Sequence, residues 1–157
     1  MLNVDLDRFD IKLLEIIQND ARLPQKDLGE SVNLSTAAVN RRLKKLSEQG
    51  VIESYNTKIK PEALGFNITV ITTIKVINEQ FNELESLRKL FSSCRQVQQS
   101  YYVAGEWDFV LIILVRNMDE YTELTENLFI KNKNIKKFQT LVAMRKDKVS
   151  LSVPIEI

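Results

Sequence analysis

Residues 24–50 read Pro24-Gln25-Lys26-Asp27-Leu28-Gly29-Glu30-Ser31-Val32-Asn33-Leu34-Ser35-Thr36-Ala37-Ala38-Val39-Asn40-Arg41-Arg42-Leu43-Lys44-Lys45-Leu46-Ser47-Glu48-Gln49-Gly50. Two short segments with helical apolar spacing meet here at a tight polar turn. The first follows Pro24, whose fixed φ suits the start of a helix, and buries little beyond Leu28 and Val32. Asn33 is one of the few non-glycine residues that enter the left-handed region cheaply, so the chain can turn there with Leu34 packing inward. Ser35 is the next N-cap candidate. From Thr36 to Gln49, Val39, Leu43 and Leu46 fall at i, i+4 and i+7 and set one buried stripe, and Gly50 suits the stop. The stretch is a helix-turn-helix.

Turning about 100° per residue from that stripe puts Ala37, Asn40, Arg41, Lys44 and Lys45 on or near the opposite face, with Arg42 on the flank. Between Ser31 and Ser47 there are four bases and no acid, in a chain whose formal net charge is only +1. The positive charge is therefore placed locally, as a helix that reads double-stranded DNA requires. Ser35, Thr36 and Ala37 are small enough to let the backbone approach a groove. Asn40 can pair with an adenine edge, Arg41 and Arg42 with guanine or phosphate, Lys44 and Lys45 with phosphate. A basic helix face taken alone is more often merely solvated; the preceding helix, the Pro and Asn punctuation and the cap-to-Gly length favour DNA.

Composition narrows the alternatives. A chain of 157 residues with 44% hydrophobic and 27% charged content is one ordinary globular domain or two small ones. No apolar run approaches the ~20 residues of a membrane span, and the segment Met1-Leu2-Asn3-Val4-Asp5 lacks a signal-type core, so the expected location is the cytoplasm, with no membrane partner. Cys94 is alone and reads as an ordinary thiol. The chain has no histidine, which removes most zinc sites and most Ser or Cys activation. Its four glycines are scattered singly, so no phosphate-cradling loop is present. No metal, cofactor or catalytic residue is expected. A carboxylate pair such as Glu83 and Glu85 would be two apart on a helix and would not share a face.

Outward from the helix-turn-helix, Asp7 to Asp20 reads as a preceding helix capped by Asp7, with Leu6, Leu13, Leu14 and Ile17 toward the pair. Phe9 and Ile16 fall elsewhere on it, either for a further contact, such as a partner subunit, or as part of a broad core face. Val51 to Lys60 reads as an extended connector or small wing, interrupted by Pro61-Glu62-Ala63-Leu64-Gly65. The boundary is drawn there, giving domains 1–60 and 61–157. The second half reads as strand 67–77, helix 79–92 with Phe81, Leu84, Leu87 and Phe91 inward, strands 97–104 and 109–115, helix 119–129 with Tyr121, Leu124 and Leu128 inward, and strand 135–143. Val149 to Ile157 is a last short strand or tail. The order βαββαβ is ferredoxin-like, an antiparallel sheet with both helices on one face, so the fold class is α+β. Large apolar residues such as Val70, Ile74, Ile112 and Leu114 suggest that the other sheet face packs on the sheet of a second chain.

These residues together resemble the Lrp/AsnC, or feast/famine, family of transcription regulators. The resemblance runs over nearly the whole length: Leu6-Asp7 and Asp10 with Leu13-Leu14, Asp20-Ala21-Arg22, Leu28, Leu34-Ser35, Val39, Arg42-Leu43, Leu46, Gly50-Val51-Ile52, Leu64-Gly65, then Val103-Ala104-Gly105 through Asp108-Phe109. Gly29 stands where the family more often has Ala, which weakens the second helix, and Asn33 where it more often has Gly. The resemblance implies an N-terminal winged-helix-like DNA-binding domain and a C-terminal domain that binds an amino-acid effector, forms homodimers through its sheet and assembles further, often into octamers. It places effector contacts at Tyr102, Val103, Ala104, Gly105, Asp108, Met118, Thr140 and Leu141, with the Asp108 carboxylate for the ligand's ammonium. Taken alone, Gly105 reads as a turn glycine and Asp108 as a surface cap. The wall of Tyr102, Val103, Ala104 and Leu141 is largely apolar, so the expected effector is leucine or methionine. The alternative from another class is an amino-acid-binding regulatory subunit of a biosynthetic enzyme, without DNA binding.

Overall fold

Asp7 starts the first helix of the computed structural model, which describes residues 4–155. Its Oδ1 accepts from the N–H groups of Phe9 (2.8 Å) and Asp10 (3.0 Å), and Asp10 Oδ2 accepts from the Asp7 N–H (3.3 Å), closing a reciprocal capping box. Helix α1 then runs Arg8–Asn19, α2 Gln25–Val32 and α3 Thr36–Glu48. Leu13, Ile17, Leu28, Val32 and Val39 form the buried core of the three, and Ile16 packs against it, so the broad core face is the one realised. Phe9 instead lies beneath the guanidinium groups of Arg8 (4.8 Å) and Arg42 (5.4 Å).

Between α2 and α3 the chain turns at Asn33, whose φ of 56° and ψ of 47° are left-handed as its sequence suggests. The turn closes with the Leu34 N–H donating to the Gly29 carbonyl at 2.9 Å. A Cβ at Gly29 would stand 2.5 Å from the Leu34 carbonyl oxygen. The glycine that costs α2 helix propensity is therefore what allows the turn to close. Ser35 caps α3, its Oγ accepting from the Ala38 N–H at 3.2 Å.

Glu53–Lys60 is an exposed connector with neither helix nor strand, and no wing strand occurs among the described residues. The Pro61–Leu64 turn that follows is 3-10 helical and ends at Gly65, φ 83°. Contacts group residues up to Lys58 with those from Lys148 onward as one compact unit, and Ile59–Asp147 as a second. The tail, assigned above to the second domain, thus groups with the first. A two-way amide pairing joins them: Gln18 Nε2 donates to the Val153 carbonyl (3.2 Å), and the Val153 N–H donates to Gln18 Oε1 (3.0 Å). Between Lys148 and Ile155 the tail forms no strand; Met1–Asn3 and Glu156–Ile157 lie outside the described residues.

The second unit runs β1 (Ile68–Val76), α4 (Phe81–Ser93), β2 (Val97–Tyr102), β3 (Phe109–Val115), α5 (Met118–Thr125) and β4 (Ile135–Val142). The sheet is antiparallel in the order β2-β3-β1-β4, the ferredoxin-like arrangement. Helix α5 ends in a π turn, Glu126–Ile130. That wider turn shifts the helix register and buries the consecutive residues Leu128 and Phe129. Both helices cover one sheet face, where Phe91 meets Phe109 and Phe129 edge to face at 5.3 and 6.3 Å.

Two expectations change. Phe81 is 73% exposed rather than inward. It opens α4, and a helical side chain leans toward the N-terminus, so at the first position it points past the helix end. Val70 and Ile74 face the helices and are fully buried, whereas Ile112 and Leu114 lie on the open face. The side-chain period of two decides this: the register sets Ile71 opposite Ile112 and Leu141, all on the face the helices leave open.

Candidate functional site

The third helix gathers its polar face as the spacing requires. Ser35, Thr36, Ala37, Asn40, Arg41, Lys44 and Lys45 are all exposed, while Val39 and Leu46 are buried on the other side. Lys44 Nζ lies 3.8 Å from Glu48 one turn on, a solvated pair that leaves the ammonium accessible.

Arg42 is placed differently. Its Nη1 donates to Asp10 Oδ1 at 2.8 Å and forms an ion pair with Asp7 Oδ2 at 2.7 Å, with only 24% of the side chain exposed. The Asp10 hydrogen bond, then the bond to Asp7, raises the Arg42 pKa further above its ordinary value, against desolvation. Asp7 is held below its ordinary value, first by the Asp10 N–H and also by Arg42. Asp5, Asp7, Asp10, Arg41, Arg42 and Lys45 together line a shallow groove of about 370 Å³. The sequence carried a signal for this clamp, two acids one helical turn apart at the start of α1, but nothing that named Arg42 as their partner.

In the second unit, the residues that the resemblance assigned to an effector divide. Val103, Ala104 and Gly105 form the loop between β2 and β3, with Gly105 at φ 145° and the Val103 N–H bonded to the Asp108 carbonyl at 2.9 Å. The Asp108 carboxylate is buried and already engaged. Its Oδ1 accepts from Lys75 Nζ and its Oδ2 from the Val76 N–H, both at 2.7 Å, where β1 shifts register against β4. That hydrogen bond raises the Lys75 pKa above its ordinary value. Tyr102 leans on Phe109 at 5.2 Å beneath the Arg88 guanidinium. Thr140 turns toward the helices, where Tyr121 joins it (2.8 Å) to the buried Thr72 (2.9 Å). Leu141 lies on the opposite, open face, and Met118 begins α5 beyond the far end of β3 from Asp108.

The eight residues therefore do not close around one pocket within a single chain. Lys75 was not singled out from the sequence, nor were Trp107 and Lys137, whose Nζ sits 4.6 Å over the indole ring and 3.5 Å from Glu106. A separate groove of about 520 Å³ near Pro61, Phe66, Arg95 and Arg116 contains none of the assigned residues. Among the described residues no cluster of His, Cys, Asp and Glu could hold a metal, and no helix is long and apolar enough to cross a membrane.

A helix-turn-helix with an exposed basic face, carried on the same chain as a ferredoxin-like unit, defines a two-domain transcription regulator. The winged helix-turn-helix DNA-binding family matches residues 6–53, and the Lrp/AsnC ligand binding domain matches residues 69–152. The chain belongs to the Lrp/AsnC family of DNA-binding regulators. An HTH-type transcriptional regulator of Sinorhizobium fredii is 38% identical over 98% of this chain and 91% of its own length. The leucine-responsive regulatory protein of Rhizobium meliloti is 26% identical over 99% of each chain. An AsnC family regulator from Agrobacterium tumefaciens superposes with a TM-score of 0.90 at 28% identity, covering 95% of this chain and 97% of that one. A Neisseria meningitidis regulator solved with L-methionine shares the fold at a TM-score of 0.89 and 23% identity, over 96% of this chain and 97% of its own.

Proposed function

We propose that this regulator binds specific double-stranded DNA sequences through Ser35, Thr36, Ala37, Asn40, Arg41, Lys44 and Lys45, and that its response is set by a small apolar amino acid, leucine or methionine. The observation that carries the reading is the exposed face of α3, where small residues, Asn40 and three accessible bases stand opposite the buried Val39 and Leu46. Arg42 leaves this set, because two carboxylates already hold it.

The second unit supplies the sensor in this reading, with Tyr102, Val103, Ala104, Gly105, Asp108, Met118, Thr140 and Leu141 as effector residues and the site completed between chains. The scatter of these residues within one chain supports a shared site. So does the open sheet face, where Ile71, Val110, Ile112, Leu114 and Leu141 invite a second sheet and a homodimer that assembles further, to an octamer. The apolar wall and the methionine and leucine in the names of two similar proteins support the choice of effector. At Asp108 an incoming ammonium takes the place now held by Lys75.

The test is a mobility-shift titration of duplex DNA, selected from a random pool by the protein itself, repeated with each of the twenty amino acids. Leucine or methionine should shift the binding curve and the others should not. Enrichment of no duplex would sink the DNA reading, and a response to lysine with leucine and methionine inert would sink the effector assignment.

A further inference from the structure

We infer that Arg42 is a positioning residue for DNA recognition: its guanidinium, clamped to Asp7 and Asp10 of the first helix, fixes the roll of α3 about its own axis. This rests on the reading of α3 as the DNA-binding helix. Arg41 and Arg42 are adjacent and carry the same charge, yet about 100° of helical turn gives them different surroundings. Arg41 points to solvent, whereas Arg42 Nη1 donates to the Asp10 carboxylate, pairs with that of Asp7, and its guanidinium carbon stands 5.4 Å from the Phe9 ring centre.

Packing of Val39 and Leu46 holds the helix against the core, but the hydrophobic driving force is itself non-directional. The charge-assisted hydrogen bond to Asp10, at 2.8 Å, is directional, and the ion pair with Asp7 at 2.7 Å adds a second anchor; the two run to the first turn and the cap of another helix. The roll of a helix in the groove sets which base edges side chains such as Asn40 and Arg41 meet. Nor can Arg42 leave cheaply for a phosphate: Asp10 is 6% exposed, and departure would strand a buried carboxylate.

The test compares the full-length wild type with Arg41→Ala, Arg42→Gln, Asp10→Asn and Asp7→Asn. Each is titrated with a duplex selected from a random pool by the wild type and with a scrambled duplex of equal length. The series spans several salt concentrations, at a temperature where circular dichroism shows every variant folded. Arg41→Ala should lower the slope of log affinity against log salt by about one. Arg42→Gln and Asp10→Asn should leave the slope at the wild-type value and cut the selected-to-scrambled affinity ratio by about tenfold, the discrimination of one base contact. Asp7→Asn keeps an N-cap residue as good as Asp, so it remains a folded readout even where Asp10→Asn does not, and it should lose part of the ratio.

A slope loss in Arg42→Gln equal to that of Arg41→Ala would overturn the inference. So would tighter binding of both duplexes by either Asp variant, the mark of an arginine released to phosphate. A lower melting temperature with an unchanged ratio would reduce the clamp to a structural role and overturn it as well. If the wild type shows no salt-dependent DNA binding and Arg41→Ala changes nothing, the DNA reading itself has failed and the inference falls with it.

Discussion

Gly29 and the Leu34 carbonyl oxygen are in such close approach that a Cβ on Gly29 would stand 2.5 Å from that oxygen. Helix propensity favours alanine over glycine by about 1 kcal/mol, but a backbone carbonyl that is itself part of the turn cannot step aside. Gly29→Ala should therefore destabilise the first unit by about 1–3 kcal/mol, the usual cost of overpacking. Urea unfolding followed by circular dichroism reads the sign directly. At Asn33, replacement by Ala should cost about 1–2 kcal/mol for the left-handed backbone, while replacement by Gly should cost almost nothing.

Tyr121 joins two threonines of neighbouring strands, Thr72 at 2.9 Å and Thr140 at 2.8 Å. Thr72 is fully buried, so Tyr121→Phe leaves its hydroxyl without this partner and should cost about 1–3 kcal/mol. A double variant with Thr72→Val, which removes the orphaned group, should recover most of that loss. Full additivity of the two changes would show that the hydroxyls do not interact.

Acid should unfold the protein partly through Asp7 and Glu120. Asp7 is held below its ordinary 3.8, chiefly by the Asp10 N–H, and Glu120 below its ordinary 4.5, chiefly by the Arg116 N–H. A carboxylate whose folded pKa is depressed binds fewer protons folded than unfolded. Its stabilisation is therefore complete above the ordinary value and is lost as pH falls through the depressed one. The melting temperature should accordingly hold down to about pH 5 and decline below it. Glu120→Gln should flatten that acid limb; an unchanged limb would assign it to other groups.

The open sheet face predicts its own disruption. Ile112 stands at its centre, opposite Ile71 of β1 and Gln99 of β2. Ile112→Lys should shift the proposed homodimer toward monomer in sedimentation velocity while leaving the far-ultraviolet spectrum intact, because the helix-covered face is untouched. A variant that sediments as the wild type does would count against a homodimer through this face.

The legible parts of this fold were those governed by local chemistry. Asn33, Ser35 and Asp7 did what their side chains allow, and β3 begins and ends at Phe109 and Val115 because turn residues bound an unbroken β-forming run. Parity was less legible: in a run such as Ile68–Val76, β-branched residues occupy both faces, and only the position of α4 and α5 shows that Val70 and Ile74 point inward. Pairings across long separations left no trace in spacing. Arg42 with Asp10, Lys75 with Asp108 and Gln18 with Val153 are 32, 33 and 135 residues apart. The candidate effector residues came from resemblance, and the structure shows them divided between a loop, two sheet faces and a helix start.

The return of the tail to the first unit has a practical consequence for anyone dissecting this chain. In connectivity, the second unit is an insertion within the first. A fragment cut after Lys60 loses Val153 and leaves the Gln18 carboxamide to water. One beginning at Pro61 carries a tail whose partner has been discarded. Isolated halves made at the linker are therefore not the protein's own halves. A faithful excision of the second unit removes Ile59–Asp147 and rejoins Lys58 to Lys148, the two residues between which that unit is threaded.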